Sequence, residues 1–217
     1  MKIQKENLIF EIEAQDQKFI EGFNISKKIE NIFAFYEIEQ KILEIKFVYS
    51  IEEYEKNSGE KFEKWYCGFI KNGIVFVLSP SIMEQVGIHK KEEIEGIILH
   101  EISHILFRMK GLEPVPLFNE GLAGYLGQYE QRMKNIRKIN FKEINIENFL
   151  MGNKDNGRFY LISFYVVKTI IDKFGKEKLL SFLKELKVQK EKNFDAFQKI
   201  FKSVFNVNFT EFKEKIN

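Results

Sequence analysis

The chain carries a single cysteine, Cys67, in 217 residues, so no intrachain disulfide can support its fold and a reducing compartment is expected. Arginine is almost missing, confined to Arg108, Arg132, Arg137 and Arg158. Lys and Arg total 34 against 32 Asp and Glu, a net charge of +2, with no long run of one sign. Weak charge and few guanidinium forks argue against nucleic acid as the main partner. No apolar stretch approaches the roughly 18 residues that cross a bilayer, which argues against membrane insertion. Met1-Lys2-Ile3-Gln4-Lys5-Glu6 lacks the apolar core of a signal peptide, so the expected location is cytoplasmic. Internal repeats and low-complexity linkers are also missing. What remains is ordinary globular usage, 44% hydrophobic and 30% charged, in a chain long enough to bury a real core.

The first third mixes strand and helix signals. Leu8 to Glu13 and Ile42 to Tyr49 alternate as strands, and Ile25 to Tyr36 shows helical spacing behind Asn24 as N-cap. Gly68 to Lys71 and Ile74 to Leu78 flank Asn72-Gly73, a pair that favours the two-residue hairpin turn with positive φ. From Lys90 onward the pattern is helical. Lys90 to Met109 reads as one long buried helix closed by Gly111, and a second is expected from Leu117 to Glu130 after Pro114 and Pro116. Ile146 to Leu150 suits a short helix, and the polar loop Gly152 to Gly157 leads into a long helix from Arg158 to Phe174, stopped at Gly175. Lys176 to Leu186, Phe194 to Phe205 and Phe209 to Ile216 complete the set. The expected fold class is α+β: a small twisted mixed sheet in the N-terminal third packed on a mostly helical C-terminal part. One domain is expected, with residues 1–88 as the mixed subdomain and 89–217 as the helical one.

Two of the three histidines stand inside the long apolar helix as His100-Glu101-Ile102-Ser103-His104. Positions i and i+4 share a helix face, so both imidazoles reach one point, as two corners of a tetrahedral zinc site require. Glu101, beside the first histidine, is placed to take a proton from a zinc-activated water and hand it to a leaving amine. Glu120 follows after residues 105–119, enough chain to finish one helix, turn and return beside it. Two histidines and a glutamate are costly to bury in such a helix without a partner, and a metal supplies one. A donor for the developing oxyanion is also needed. Tyr160 opens a helix after the glycine-flanked loop and suits that role. Tyr160, Phe164, Val167 and Ile171 also form one helical stripe, which reads equally as core. Tyr125, Tyr165 and Arg158 are lesser candidates. The hairpin from Gly68 to Leu78 could pair with an extended peptide or simply cover the helix. His89, among lysines, reads as a solvated residue near the helix start.

These residues resemble the gluzincins, the thermolysin-like zinc peptidases, and more closely the peptidase MA-like domain related to the aminopeptidase N catalytic domain. Leu99 to His104 is similar to the family's zinc helix, and Pro116-Leu117-Phe118-Asn119-Glu120-Gly121-Leu122-Ala123 to the segment bearing its third ligand. The likeness continues through Phe159 to Gly175 and Asn193 to Phe212, and upstream over Gly73 to Pro80. It implies Zn2+ on His100, His104 and Glu120, with Glu101 as general base and acid and Tyr160 as the family's tyrosine. The implied activity is hydrolysis of peptide bonds in a peptide or protein substrate. The family's amine-anchoring strand motif has no counterpart here, which favours an endopeptidase over an aminopeptidase. Where thermolysin-like enzymes often carry an aspartate four residues past the third ligand, this chain has Gly124. The rivals are a small intracellular zinc peptidase cleaving one regulatory protein, and a catalytically silent zinc-stabilised domain that binds peptide or protein partners.

Overall fold

A computed structural model describes residues 1–127, 141, 144, 150, 158–189 and 193–216. The architecture is α+β with an open five-stranded mixed sheet, and the chain groups into two compact units, Met1–Leu106 and Phe107–Asn217. The short helix expected at Ile146–Leu150 and the loop Gly152–Gly157 fall outside the described residues, apart from Leu150 itself. Among the described residues, no helix is long and apolar enough to cross a membrane.

The first unit is built on strands β1 (Lys2–Lys5), β2 (Leu8–Glu11), β3 (Leu43–Val48), β4 (Gly68–Lys71) and β5 (Ile74–Leu78), in the order β1-β2-β3-β5-β4. β2, β3 and β5 run parallel, and β1 and β4 close the two edges antiparallel. Central β5 reads Ile-Val-Phe-Val-Leu, with Val75, Val77 and Leu78 fully buried, the continuous apolar run of a strand covered on both faces. The β4–β5 turn is as expected: Asn72 and Gly73 both adopt positive φ, 53° and 78°. The strand expected from Leu8 ends at Glu11, and β1 has no sequence signature because no residue of it is buried.

Helix α1 (Gln17–Glu21) and helix α2 (Ser26–Tyr36) connect β2 to β3. Ile25, not Asn24, is the N-cap of α2, with no side-chain cap bond, and the Asn24 backbone N–H donates to the Glu95 carboxylate at 2.8 Å. Helix α3 (Ile51–Ser58) follows β3. Ser50 accepts from the Glu53 N–H at 3.0 Å, while the Glu53 carboxylate accepts from the Tyr49 N–H at 2.8 Å, a reciprocal start of the capping-box kind. Helix α4 (Pro80–Val86) starts on the Ser79 cap with Pro80 at its first position. The long helix expected from Lys90 begins as a 3₁₀ turn, Lys91–Glu93, and becomes α5 at Ile94–Met109. Gly111, at φ 68°, ends it as expected.

The second unit contains α6 (Pro116–Leu126), α7 (Arg158–Phe174), α8 (Lys176–Val188), α9 (Phe194–Phe205) and α10 (Phe209–Lys213). Its core is phenylalanine packed edge-on to phenylalanine. Phe182 meets Phe118 at 5.3 Å, Phe197 at 5.6 Å and Phe201 at 5.5 Å, and Phe201 meets Phe209 at 4.8 Å. Burying each such ring contributes roughly 1.5–3 kcal/mol, and edge-to-face contact adds to it. Gly175, at φ 85°, turns α7 into α8 where the sequence pattern stops.

Candidate metal centre

α5 is a helix because Ile94, Ile97, Ile98, Leu99, Ile102 and Leu106 are buried around most of its circumference. Little of such a helix faces solvent, so each buried polar group on it needs a reason. Ser103 is fully buried and shares a 2.8 Å hydrogen bond with the Tyr36 hydroxyl of α2. Burial pushes the Tyr36 phenol well above its ordinary pKa, so this pair stays neutral. At the helix start, Glu95 accepts from the Asn24 N–H and pairs with Lys28 at 2.9 Å. These two contacts fix how α5 is turned about its axis.

That rotation sets the histidines. His100 and His104 are 6% and 8% exposed, their rings are perpendicular, and their Nε2 atoms lie 3.1 Å apart. Two nitrogens of a tetrahedral zinc site, each about 2.0–2.1 Å from the metal, stand about 3.3 Å apart. The observed separation is close to that edge. The same contact is a hydrogen bond when one ring carries its proton at Nε2.

Glu120 belongs to α6, which begins at Pro116 with Pro in the position that needs no N–H. Its neighbour Gly121 explains its placement. A Cβ on Gly121 would stand 2.3 Å from the Ser163 carbonyl oxygen and 2.5 Å from Val167 Cγ2, so only glycine allows α6 and α7 to cross this closely. Glu120 is half-buried next to that crossing. His100, His104 and Glu120 each offer a ligand atom, and these atoms lie within 4.8 Å of one another. Rotation about the glutamate torsions covers the remainder of a coordination edge. Two imidazoles and a carboxylate are the donor set of a zinc site that keeps a fourth position open.

Glu101 is half-buried on the same helix. The point a Cβ of Gly68 would occupy is 3.3 Å from Glu101 Cγ, 3.2 Å from the Phe76 carbonyl and 3.1 Å from Ile97 Cγ2. The first residue of edge strand β4 therefore lies directly on the turn of α5 that bears Glu101. A glycine at a strand's start signals such close backbone approach, a cue available in the sequence and not used there.

Tyr160 stands on α7, half-buried, with its ring 5.7 Å from that of Phe159. It precedes Ser163 by three residues, hence by about one turn. Phe164 and Val167 of its stripe are buried. The geometry thus brings His100, His104 and Glu120 together, and Glu101 stands next to His100 in the sequence.

The comparisons add no activity. No family model matches the chain. The chain is similar to the uncharacterized protein YhcO of Bacillus subtilis (strain 168), 28% identical over 139 residues. That similarity covers 52% of this chain and 42% of YhcO, so the chain spans less than half the length of this relative.

His89 corrects an expectation. It is half-buried and held on both sides: Nδ1 lies 2.8 Å from the Glu93 carboxylate and Nε2 lies 3.1 Å from the Trp65 carbonyl oxygen. Both partners are acceptors, so the ring makes both bonds only as an imidazolium. Burial works against that charge, but the Cys67 thiol, the Glu93 carboxylate and the Trp65 carbonyl outweigh it and raise the His89 pKa to about 10.

Proposed function

We propose that the protein is a zinc-dependent peptidase of the gluzincin type, with a thermolysin-like catalytic arrangement, acting on peptide or protein substrates. The observation that carries this is that ligand atoms of His100 and His104 on α5 and of Glu120 on α6 lie within 4.8 Å of one another, with Glu101 next to His100 on α5. Zinc bound by His100, His104 and Glu120 would supply Lewis acidity at a carbonyl oxygen and would lower the pKa of water. Glu101 takes a proton as water attacks the carbonyl and delivers it to the leaving nitrogen as the peptide bond breaks. Tyr160 donates its hydroxyl hydrogen bond to the oxygen on which negative charge develops. Edge strand β4 offers its outer backbone groups to an extended peptide, and Gly68 keeps side-chain bulk away from Glu101.

The test is metal analysis of protein purified without chelators, wild type against His100→Ala, joined to a peptide-library digest comparing wild type with Glu101→Gln. Stoichiometric zinc lost in His100→Ala, with cleavage lost in Glu101→Gln, is the expected result. Equal cleavage by both proteins removes Glu101 from the reaction. Zinc without cleavage by either would make the protein a silent zinc-stabilised binding domain.

A further inference from the structure

Cys67, the single cysteine of the chain, is half-buried, and two segments of the first unit meet around it. The Ile88 N–H donates to the Lys64 carbonyl at 2.9 Å, and a Cβ on Gly87 would stand 3.0 Å from that same oxygen. This close approach brings His89 onto the loop before β4, where its Nε2 lies 3.1 Å from the Trp65 carbonyl oxygen. Cys67 follows Trp65 by two residues, and its carbonyl is fixed by the Leu78 N–H at 2.9 Å. Its thiol stands within hydrogen-bond reach of the His89 side chain. The His89 Nδ1 is held 2.8 Å from the Glu93 carboxylate. Thiol, imidazole and carboxylate therefore form one connected set, with the carboxylate fixing the ring as a charged donor.

A fourth group is close to the thiol. Tyr54 of α3 is 2% exposed, its ring enclosed by Phe69 at 4.9 Å, Phe62 at 5.3 Å and Tyr66 at 6.2 Å. The ring makes all of these contacts, and the hydroxyl has no hydrogen-bond partner among the described residues. Burial, and then the Cys67 thiol before any other group, push this phenol well above its ordinary pKa. Glu101, Tyr66 and Glu60 act in the same direction more weakly. Tyr54 therefore keeps its proton and stays a hydrogen-bond donor. An unpaired donor on an otherwise buried side chain beside a thiol marks a place for a ligand oxygen.

We propose that Cys67 is a peroxide-reactive thiol, with His89 as proton donor, Glu93 holding His89, and Tyr54 orienting the oxidant. The co-reactant is a small hydroperoxide, because a half-buried sulfur leaves little room for a larger disulfide. The sulfur gives its proton to solvent and attacks the nearer peroxide oxygen, so an S–O bond forms as the O–O bond breaks. The departing hydroxide takes a proton from the His89 imidazolium and leaves as water, and His89 regains a proton from solvent. Sulfur is oxidised by two electrons to the sulfenic acid, and the peroxide is reduced. This chain holds no second cysteine to condense with that acid. Two equivalents of a small external thiol restore it, the first forming a mixed disulfide with loss of water and the second displacing it. None of these steps uses the metal-binding residues.

The experiment treats full-length protein with hydrogen peroxide near neutral pH, traps sulfenic acid with dimedone and follows intact mass. With one cysteine in the chain, every adduct reports Cys67 alone. The folded protein is expected to react about a hundredfold faster than the urea-unfolded chain, the low end of what a positioned proton donor supplies. His89→Gln, which cannot donate from a charged ring, is expected to lose about tenfold or more of that rate. Tyr54→Phe keeps the buried ring and removes only the unpaired hydroxyl, so it folds. It is expected to slow the reaction about fivefold, the worth of one hydrogen bond. A wild-type rate in either variant overturns the assignment, as does a folded protein that reacts no faster than the unfolded chain. Faster modification by glutathione disulfide than by hydrogen peroxide at equal concentration overturns the hydroperoxide as co-reactant.

Discussion

Replacing Gly121 by alanine tests whether the α6–α7 crossing is what positions Glu120. The added Cβ would lie 2.3 Å from the Ser163 carbonyl oxygen, 2.8 Å from its carbon and 2.5 Å from Val167 Cγ2. Ordinary contacts of this kind begin near 3.4 Å, so the helices must separate by about 1.1 Å, the difference between 3.4 and 2.3. The carbonyl belongs to a helix backbone and cannot rotate away, so the strain has no cheap outlet. Overpacking of this sort costs typically 1–3 kcal/mol, and the backbone clash puts Gly121→Ala at the upper end. At about 3 kcal/mol, a chain of this size loses roughly 6–12 °C in Tm. The second consequence is local. Glu120 must already close the gap from 4.8 Å to a coordination edge by its side-chain torsions, so a shift of about 1 Å in the backbone next to it changes the position from which the carboxylate must reach. Zinc affinity by chelator competition is expected to fall at least tenfold, with His100 and His104 left as a two-point site. Gly22→Ala, whose Cβ would meet only ordinary contacts of 3.5 and 3.7 Å, serves as the control. A Gly121→Ala protein with wild-type Tm and wild-type zinc affinity would refute both the close crossing and its role in placing Glu120.

Gly68→Ala places a methyl 3.3 Å from Glu101 Cγ and 3.2 Å from the Phe76 carbonyl, contacts that yield by a few tenths of an ångström. It is expected to lower kcat for peptide cleavage while bound zinc, measured by atomic absorption, stays stoichiometric. Tyr36→Phe strands the buried Ser103 hydroxyl and is expected to cost about 1–3 kcal/mol in urea unfolding, with Tyr36→Phe/Ser103→Ala costing no more than the single variant. His89 has a folded pKa of about 10 against 6.5 for the free side chain, so its stabilisation is full below pH 6.5 and is lost as pH rises through 10. The wild-type urea midpoint should therefore fall between pH 7 and 10.5 more steeply than that of His89→Gln, and parallel curves would deny the charged pair with Glu93.

Local rules made much of the chain legible. Asn72-Gly73 announced its hairpin because only a positive-φ pair matches strand twist, and both residues take that conformation. Arg158–Phe174 and Phe194–Phe205 occupy the ranges their periodicity predicts, since Gly175 ends one and Asn193 caps the other through the Ala196 N–H at 2.9 Å. β1 was not legible because an exposed edge strand carries no apolar alternation, and α3 and α4 are too short for periodicity to stand out. His89 was misread because its two acceptors, Glu93 and the Trp65 carbonyl, meet it only after two loops come together.

The candidate metal centre divides along the same line. That His100 and His104 share a face, with Glu101 beside them, follows from the order of residues alone, because an i, i+4 spacing on a helix needs no knowledge of the rest of the molecule. Tertiary structure alone decided which way that face turns, through the Tyr36–Ser103 and Lys28–Glu95 contacts. It alone laid Gly68 on Glu101 and pressed Gly121 against Ser163, because each depends on a backbone distant in sequence arriving within a few ångströms. Spacing along a helix is fixed by bond geometry, whereas approach between elements is set by the sum of all the packing around them.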